Sequence, residues 1–172
     1  MSETAIKTYA DFVLPGNVVT QIDVSRLVRE MERVDNELTA SSVRKKAGVA
    51  EAAKPALSSQ LADFLAQNKL SIEGSRERDN LIKQVRLLKD KVPVIHMTFA
   101  VTADGESLEK LVAWVRGTVH PQAVIEIGLQ PDLIAGVYIR TPNHVHDFSW
   151  RALLKGKHDL LVKELEALRG GK

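Results

Sequence analysis

An α+β fold, in which an N-terminal all-helical bundle precedes a small mixed β-sheet domain with flanking helices, is predicted by three features of the sequence. Apolar residues recur at helical spacing as far as Lys91. Beyond Pro93 the spacing drops to two, the period of a strand. The composition is 44% hydrophobic but only 5% aromatic, so packing rests on Leu, Val, Ile and Ala, and 172 residues suffice for one large domain or two small ones. The change of period divides the chain into an expected helical domain, 1–91, and an expected α/β domain, 92–172.

Ile6, Tyr9, Ala10 and Val13 have helical spacing and predict a short first helix that stops at Pro15-Gly16-Asn17. A second helix, capped by Asp23 or Ser25, carries Leu27, Met31, Val34 and Leu38 on one face. From Ser41 to Pro55 the pattern weakens, and one or two helical turns are expected. Leu57, Leu61, Phe64 and Leu65 mark another helix up to Asn68, and Leu81, Ile82, Val85 and Leu88 mark one after Gly74. Five or six short helices are thus expected before Pro93.

The run V-I-H-M-T-F-A-V places Ile95, Met97, Phe99 and Val101 on one face of a strand and His96 and Thr98 on the other. Asp104-Gly105 closes it. Leu108, Leu111, Val112 and Val115 then predict a helix ending near Gly117, followed by strands A-V-I-E-I-G-L, G-V-Y-I-R and H-V-H-D and a final helix. Two strands joined by a helix favour a parallel crossover, and the strands flanking Thr141-Pro142-Asn143 favour a hairpin.

Charge excludes several function classes. Lys and Arg number 24 against 22 Asp and Glu. Residues up to Lys91 hold 15 basic and 13 acidic side chains, and the remainder nine of each. Neither part has the field of a dedicated nucleic-acid or anionic-membrane binder. The segment after Gly74 does present Arg76, Arg78, Lys83, Arg86, Lys89 and Lys91, but Asp79 and Asp90 dilute it, and Phe99 and Tyr138 are too few to stack bases. Without cysteine there is no disulfide, thiolate nucleophile or cysteine metal site. No apolar run reaches the roughly 18 to 20 residues that cross a bilayer, and the start lacks the pattern of a signal or transit peptide. A soluble intracellular protein is expected.

Catalytic chemistry finds little footing. His144 and His146 are two apart on a strand and face one way, which makes half a metal site. A third ligand would have to be His96, on another strand. The plain alternative is two polar residues on an exposed edge. Asp147 and Ser149 lack the glycine context of a nucleophile elbow and suit helix capping instead. Gly156-Lys157 and Gly170-Gly171-Lys172 lack the spaced glycine of a P-loop, and the latter reads as a helix stop and frayed end. No cofactor is expected.

The segment L-Q-P-D-L-I-A-G-V-Y-I-R, followed by D-F-S-W-R-A-L-L, resembles the C-terminal signature of the delta subunit, or oligomycin-sensitivity-conferring protein, of F-type rotary ATP synthases. Pro131, Leu133, Ile134, Gly136, Asp147, Ser149, Arg151 and Leu154 fall on its positions. Ala135 replaces the first glycine of the family's pair, and Phe148 replaces a small residue. The convincing likeness covers 92–165, with V-P-V-I-H-M-T-F-A-V similar to the family's preceding strand. The resemblance implies a six-helix N-terminal bundle and a small sheet domain without an active site. It further implies a connector that docks the bundle on the alpha subunits of the catalytic head and the C-terminal part on the b subunits of the peripheral stalk. That would place the chain on the cytoplasmic side of a bacterial plasma membrane, in a proton-translocating complex. The stalk E subunit of V/A-type ATPases has a similar strand but begins with one long helix, and a nucleic-acid-binding module is the alternative of another class.

A static connector needs apolar surface left over from its own core. In the final helix Leu154, Leu161, Leu165 and Leu168 form a three-four stripe with His158 inside it, and Leu153, Leu160 and Val162 widen the apolar surface. One side is expected to cover the sheet. Leu161, Leu165 and Leu168 are the expected stalk contacts, and Gly156 marks an expected kink or close approach.

Overall fold

The computed structural model describes residues 7–48, 54–141 and 143–170. The helices are α1 (Gln21–Lys46), α2 (Ser59–Asn68), α3 (Ser75–Lys91), α4 (Gly105–Thr118), α5 (Trp150–Gly156) and α6 (His158–Gly170). The strands are β1 (Val94–Phe99), β2 (Val124–Leu129), β3 (Val137–Arg140) and β4 (Val145–Asp147), with 3-10 turns at Tyr9–Asp11 and Pro131–Leu133. The fold is α+β. Contacts group the chain into two compact units. One takes the described residues up to Pro93 together with Glu109–Val124, and the other takes Val94–Leu108 together with the described residues from Ile125 on.

In the helical unit α1 begins at a capping box. The Thr20 hydroxyl accepts from the Asp23 N–H, and the Asp23 carboxylate accepts from the Thr20 N–H at 2.9 Å and hydroxyl at 2.8 Å. The helix therefore starts before the two expected caps, with Asp23 at its third position. Its first half buries Val24, Leu27, Val28, Met31 and Val34. From Asn36 on no residue is buried, yet the helix continues to Lys46. The short turns expected after Ser41 are thus a single helix as far as Lys46, and 49–53 lie outside the described residues. Leu61, Phe64 and Leu65 of α2 and Leu81, Ile82, Val85 and Leu88 of α3 complete the core. Two ion pairs tie α1 to α3, Asp35 to Arg78 and Glu32 to Arg86, each at 2.6 Å.

The expected first helix is replaced by a single 3-10 turn, and Ile6 lies outside the described residues. Residues 9–18 are mostly irregular, so their backbone groups need partners from elsewhere. Side chains supply them. The Gln122 amide donates to the carbonyls of Tyr9 at 2.7 Å and Phe12 at 2.8 Å. Asn68 accepts from the Val13 N–H and donates to the Val13 carbonyl, both at 2.8 Å. Arg116 donates to the carbonyls of Leu14, Pro15, Val18 and Ala123. Phe12 meets Phe64 edge to face, with ring centres 5.4 Å apart. Among the described residues, three α-helices and one 3-10 turn precede Pro93, fewer than the five or six expected. The helical unit also draws most of α4 from beyond that point.

The other unit holds a mixed sheet of order β2-β1-β3-β4. The Val124 N–H donates to the Pro93 carbonyl and the Gln130 N–H to the Phe99 carbonyl, an unchanged offset that makes β2 parallel to β1. β1 and β3 are antiparallel, with His96 opposite Arg140 and Met97 opposite Ile139. β3 and β4 form a hairpin, with Ile139 opposite His146 and Tyr138 opposite Asp147. Alternation buries Ile95, Met97 and Ile125, while the exposed His96 Nδ1 and Glu126 carboxylate approach to 2.9 Å.

Candidate partner interface

The two halves of the sequence signature meet at one place. After β2, Pro131 opens a 3-10 turn that buries Leu133 and ends in a tight turn at Ile134. There φ is +67° and ψ −56°, and the Ala135 N–H donates to the Leu133 carbonyl at 2.8 Å. This is the rare γ-turn of positive φ, which strains a β-branched residue. Gly136 follows at φ +93°, a conformation side chains rarely adopt. A β-carbon there would collide with the Phe148 carbonyl oxygen and lie 3.0 Å from the Ser149 Cα. The strand it enters is half-buried and Gly136 itself is exposed, so close backbone approach and handedness demand the glycine.

Phe148 and Ser149 belong to the second half. The Phe148 N–H donates to the Val137 carbonyl at 3.0 Å and the Trp150 N–H to the Ala135 carbonyl at 2.9 Å, which clasps the start of α5 to the start of β3. Ser149 is buried and caps α5, accepting from the Ala152 N–H. Ser149 in turn holds the Asp147 carboxyl below the usual carboxylate range, through its hydroxyl and its N–H, the latter at 2.9 Å. Asp147 is thereby a positioning group for the clasp. Arg151 lines an open cavity of about 540 Å³ together with Leu133, Tyr138, Asp147 and Lys155.

The final helix breaks where Gly156 marked an expected kink. α5 ends at Gly156, and Lys157, at φ −108° and ψ 10°, donates to the carbonyls of Leu153 and Leu154 before α6 begins. Leu154 therefore stands on a separate helix from Leu165 and Leu168. The side chain of Leu161 lies outside the described residues, although its backbone is part of α6. Leu154 is 40% exposed, Leu165 63% and Leu168 80%. No described residue of α6 is buried, so the expectation that one side covers the sheet is not met. Phe148, Trp150, Leu153 and Leu160 are also exposed. Such a concentration of large apolar groups is what partner surfaces carry.

The hairpin register answers the metal expectation in part. His144 and His146 share a face, with ring centres 6.1 Å apart, but His96 sits opposite Arg140 on the other face and cannot join them. The basic face of α3 is partly consumed, because Arg78 is buried against Asp35 and Arg86 is paired with Glu32. Sequence reasoning missed Arg116, Gln122 and Asn68, which hold the backbone of 9–18 from more than fifty residues away.

No family model and no curated protein matches the chain. It is similar to a chain in the cryo-EM structure of the Toxoplasma gondii mitochondrial ATP synthase hexamer, at 19% identity. The likeness covers 81% of this chain and 94% of that one, with a TM-score of 0.35. A likeness of that degree fixes neither fold nor function.

Proposed function

We propose that this chain is a non-catalytic stator connector of an F-type ATP synthase, joining the alpha subunits of the head to the b subunits of the peripheral stalk. One observation carries the reading: the signature residues around Gly136 and around Ser149, separate in sequence, form one clasp. The pattern thus has a structural reason to occur as a unit. The bare apolar surface of α5 and α6 supports a docking role for this end. No helix among the described residues is long and apolar enough to cross a membrane. On this reading the chain is held in the complex by its protein partners, on the cytoplasmic side of a bacterial plasma membrane.

Magnitudes shape the stalk contact. A nanomolar complex needs about 12 kcal/mol. Leu160, Leu165 and Leu168 are 63%, 63% and 80% exposed, so burying what they expose gives roughly 3 to 6 kcal/mol before association costs, at about 1.5 to 3 kcal/mol for a full side chain. The interface must therefore extend to α5, where Phe148, Trp150 and Leu153 are available. Leu165→Asp and Leu168→Asp are expected to leave the circular dichroism spectrum unchanged and to abolish binding to purified b subunit, while binding to alpha subunit persists. Unchanged affinity for b subunit in both variants overturns the assignment of α6.

A further inference from the structure

We propose that His144 and His146 form a two-imidazole chelate for a divalent transition ion of borderline softness, binding Cu²⁺ above Ni²⁺ and Zn²⁺, with water in the remaining positions. His146 on β4, the edge strand, and His144 just before it project to one face, with ring centres 6.1 Å apart and planes inclined by 35°. Two imidazoles sharing an ion at about 2.0–2.1 Å bring their centres to roughly 4.5–5.2 Å, so from 6.1 Å the rings must close by about 0.9 to 1.6 Å. Both side chains are exposed, and a small χ rotation suffices.

The backbone beneath them is held. The Thr141 N–H donates to the His144 carbonyl at 2.8 Å, and the His144 N–H donates to the Thr141 hydroxyl at 3.0 Å. His146 is in register with Ile139, and its ring stacks on Phe148 with centres 5.9 Å apart and planes 14° from parallel. This restricts one ligand before the ion arrives, as a good chelate requires.

Competing demands on the two rings are few. Among the described residues neither imidazole has a hydrogen-bond or ion-pair partner. Asp147 points to the opposite face and is engaged by Ser149. His96 is paired with Glu126, and His120 accepts from the Gln122 N–H. With no cysteine there is no competing thiolate, and the thioethers of Met31 and Met97 are buried. Imidazole pairs favour Cu²⁺ over its neighbours in the divalent series.

The test is calorimetric titration of the tag-free full chain with CuCl2, and separately with ZnCl2, beside electron paramagnetic resonance of the Cu²⁺ form. The expected result is one saturable ion per chain, at least tenfold tighter for Cu²⁺ than for Zn²⁺, with a two-nitrogen signature. His144→Ala and His146→Ala should each weaken Cu²⁺ binding at least tenfold with unchanged circular dichroism, and His158→Ala should not. Retention of the site in the double variant H144A/H146A overturns the proposal. So does half an ion per chain accompanied by dimerisation, which would make the site a property of two copies.

Discussion

Gly136→Ala should destabilise the sheet unit through its backbone alone. The new β-carbon collides with the Phe148 carbonyl oxygen and stands 3.0 Å from the Ser149 Cα and 3.1 Å from the Phe148 carbonyl carbon. These are backbone atoms, so no rotamer change relieves them. Holding alanine at φ +93° costs about 1 to 3 kcal/mol. Moving 148–149 away loosens the Phe148-to-Val137 and Trp150-to-Ala135 hydrogen bonds, each worth about 0.5 to 1.5 kcal/mol net. The total is roughly 2 to 6 kcal/mol. For this size of chain that lowers the melting temperature by about 5 to 20 °C, read by circular dichroism and by hydrogen exchange at the Phe148 and Trp150 amides. Gly117→Ala is the control, because nothing lies within 4 Å of its added carbon and alanine favours a helix by about 1 kcal/mol. Equal stability of Gly136→Ala and the native chain, with both amides still protected, would refute the close-approach argument.

Further outcomes follow from the same contacts. Arg116 is desolvated until its guanidinium falls to about 10, and it serves four carbonyls. Arg116→Met is expected to cost roughly 2 to 4 kcal/mol in urea unfolding and to expose the Val18 amide to exchange, and an unchanged midpoint contradicts a stabilising role for those hydrogen bonds. Burial alone would raise the Asp23 carboxyl, but hydrogen bonds from Thr20 and Val19 hold it below its ordinary 3.8. Its stabilisation is therefore present above pH 3.8 and lost as pH falls through the depressed value, and Asp23→Asn should flatten that acid limb of the stability curve. Ile134→Gly releases about 1 to 3 kcal/mol of strain against about 0.5 to 1 kcal/mol of unfolded-state entropy, so a net gain is expected, and a loss would show that the γ-turn is not strained.

The elements legible in the sequence are those whose one face is buried. Leu81, Ile82, Val85 and Leu88 announce α3, and the alternation through Ile95 and Met97 announces β1, because the core lies on a single side of each. Tyr9 and Val13 mislead for the opposite reason. Their spacing is helical, but Gln122, Asn68 and Arg116 take the backbone carbonyls a helix would use, and nothing local signals that. The second half of α1 buries nothing, so it leaves no apolar period to read. Leu165 and Leu168 were legible as a stripe, and Gly156 marked the place where the helix breaks; the open space around Gly156 shows that a kink, not a close approach, is what occurs there. The face taken by His96 depends on a pairing with Arg140, more than forty residues on.

The stator reading is tested most directly by affinity purification of the tagged chain from native membranes after mild detergent extraction, with quantitation of co-purifying subunits. The account predicts ATP synthase alpha and b subunits in fixed stoichiometry with the chain, with b lost and alpha kept when Leu165 and Leu168 are both replaced by aspartate. Recovery of the chain without either subunit, under conditions that keep the synthase assembled, would contradict it.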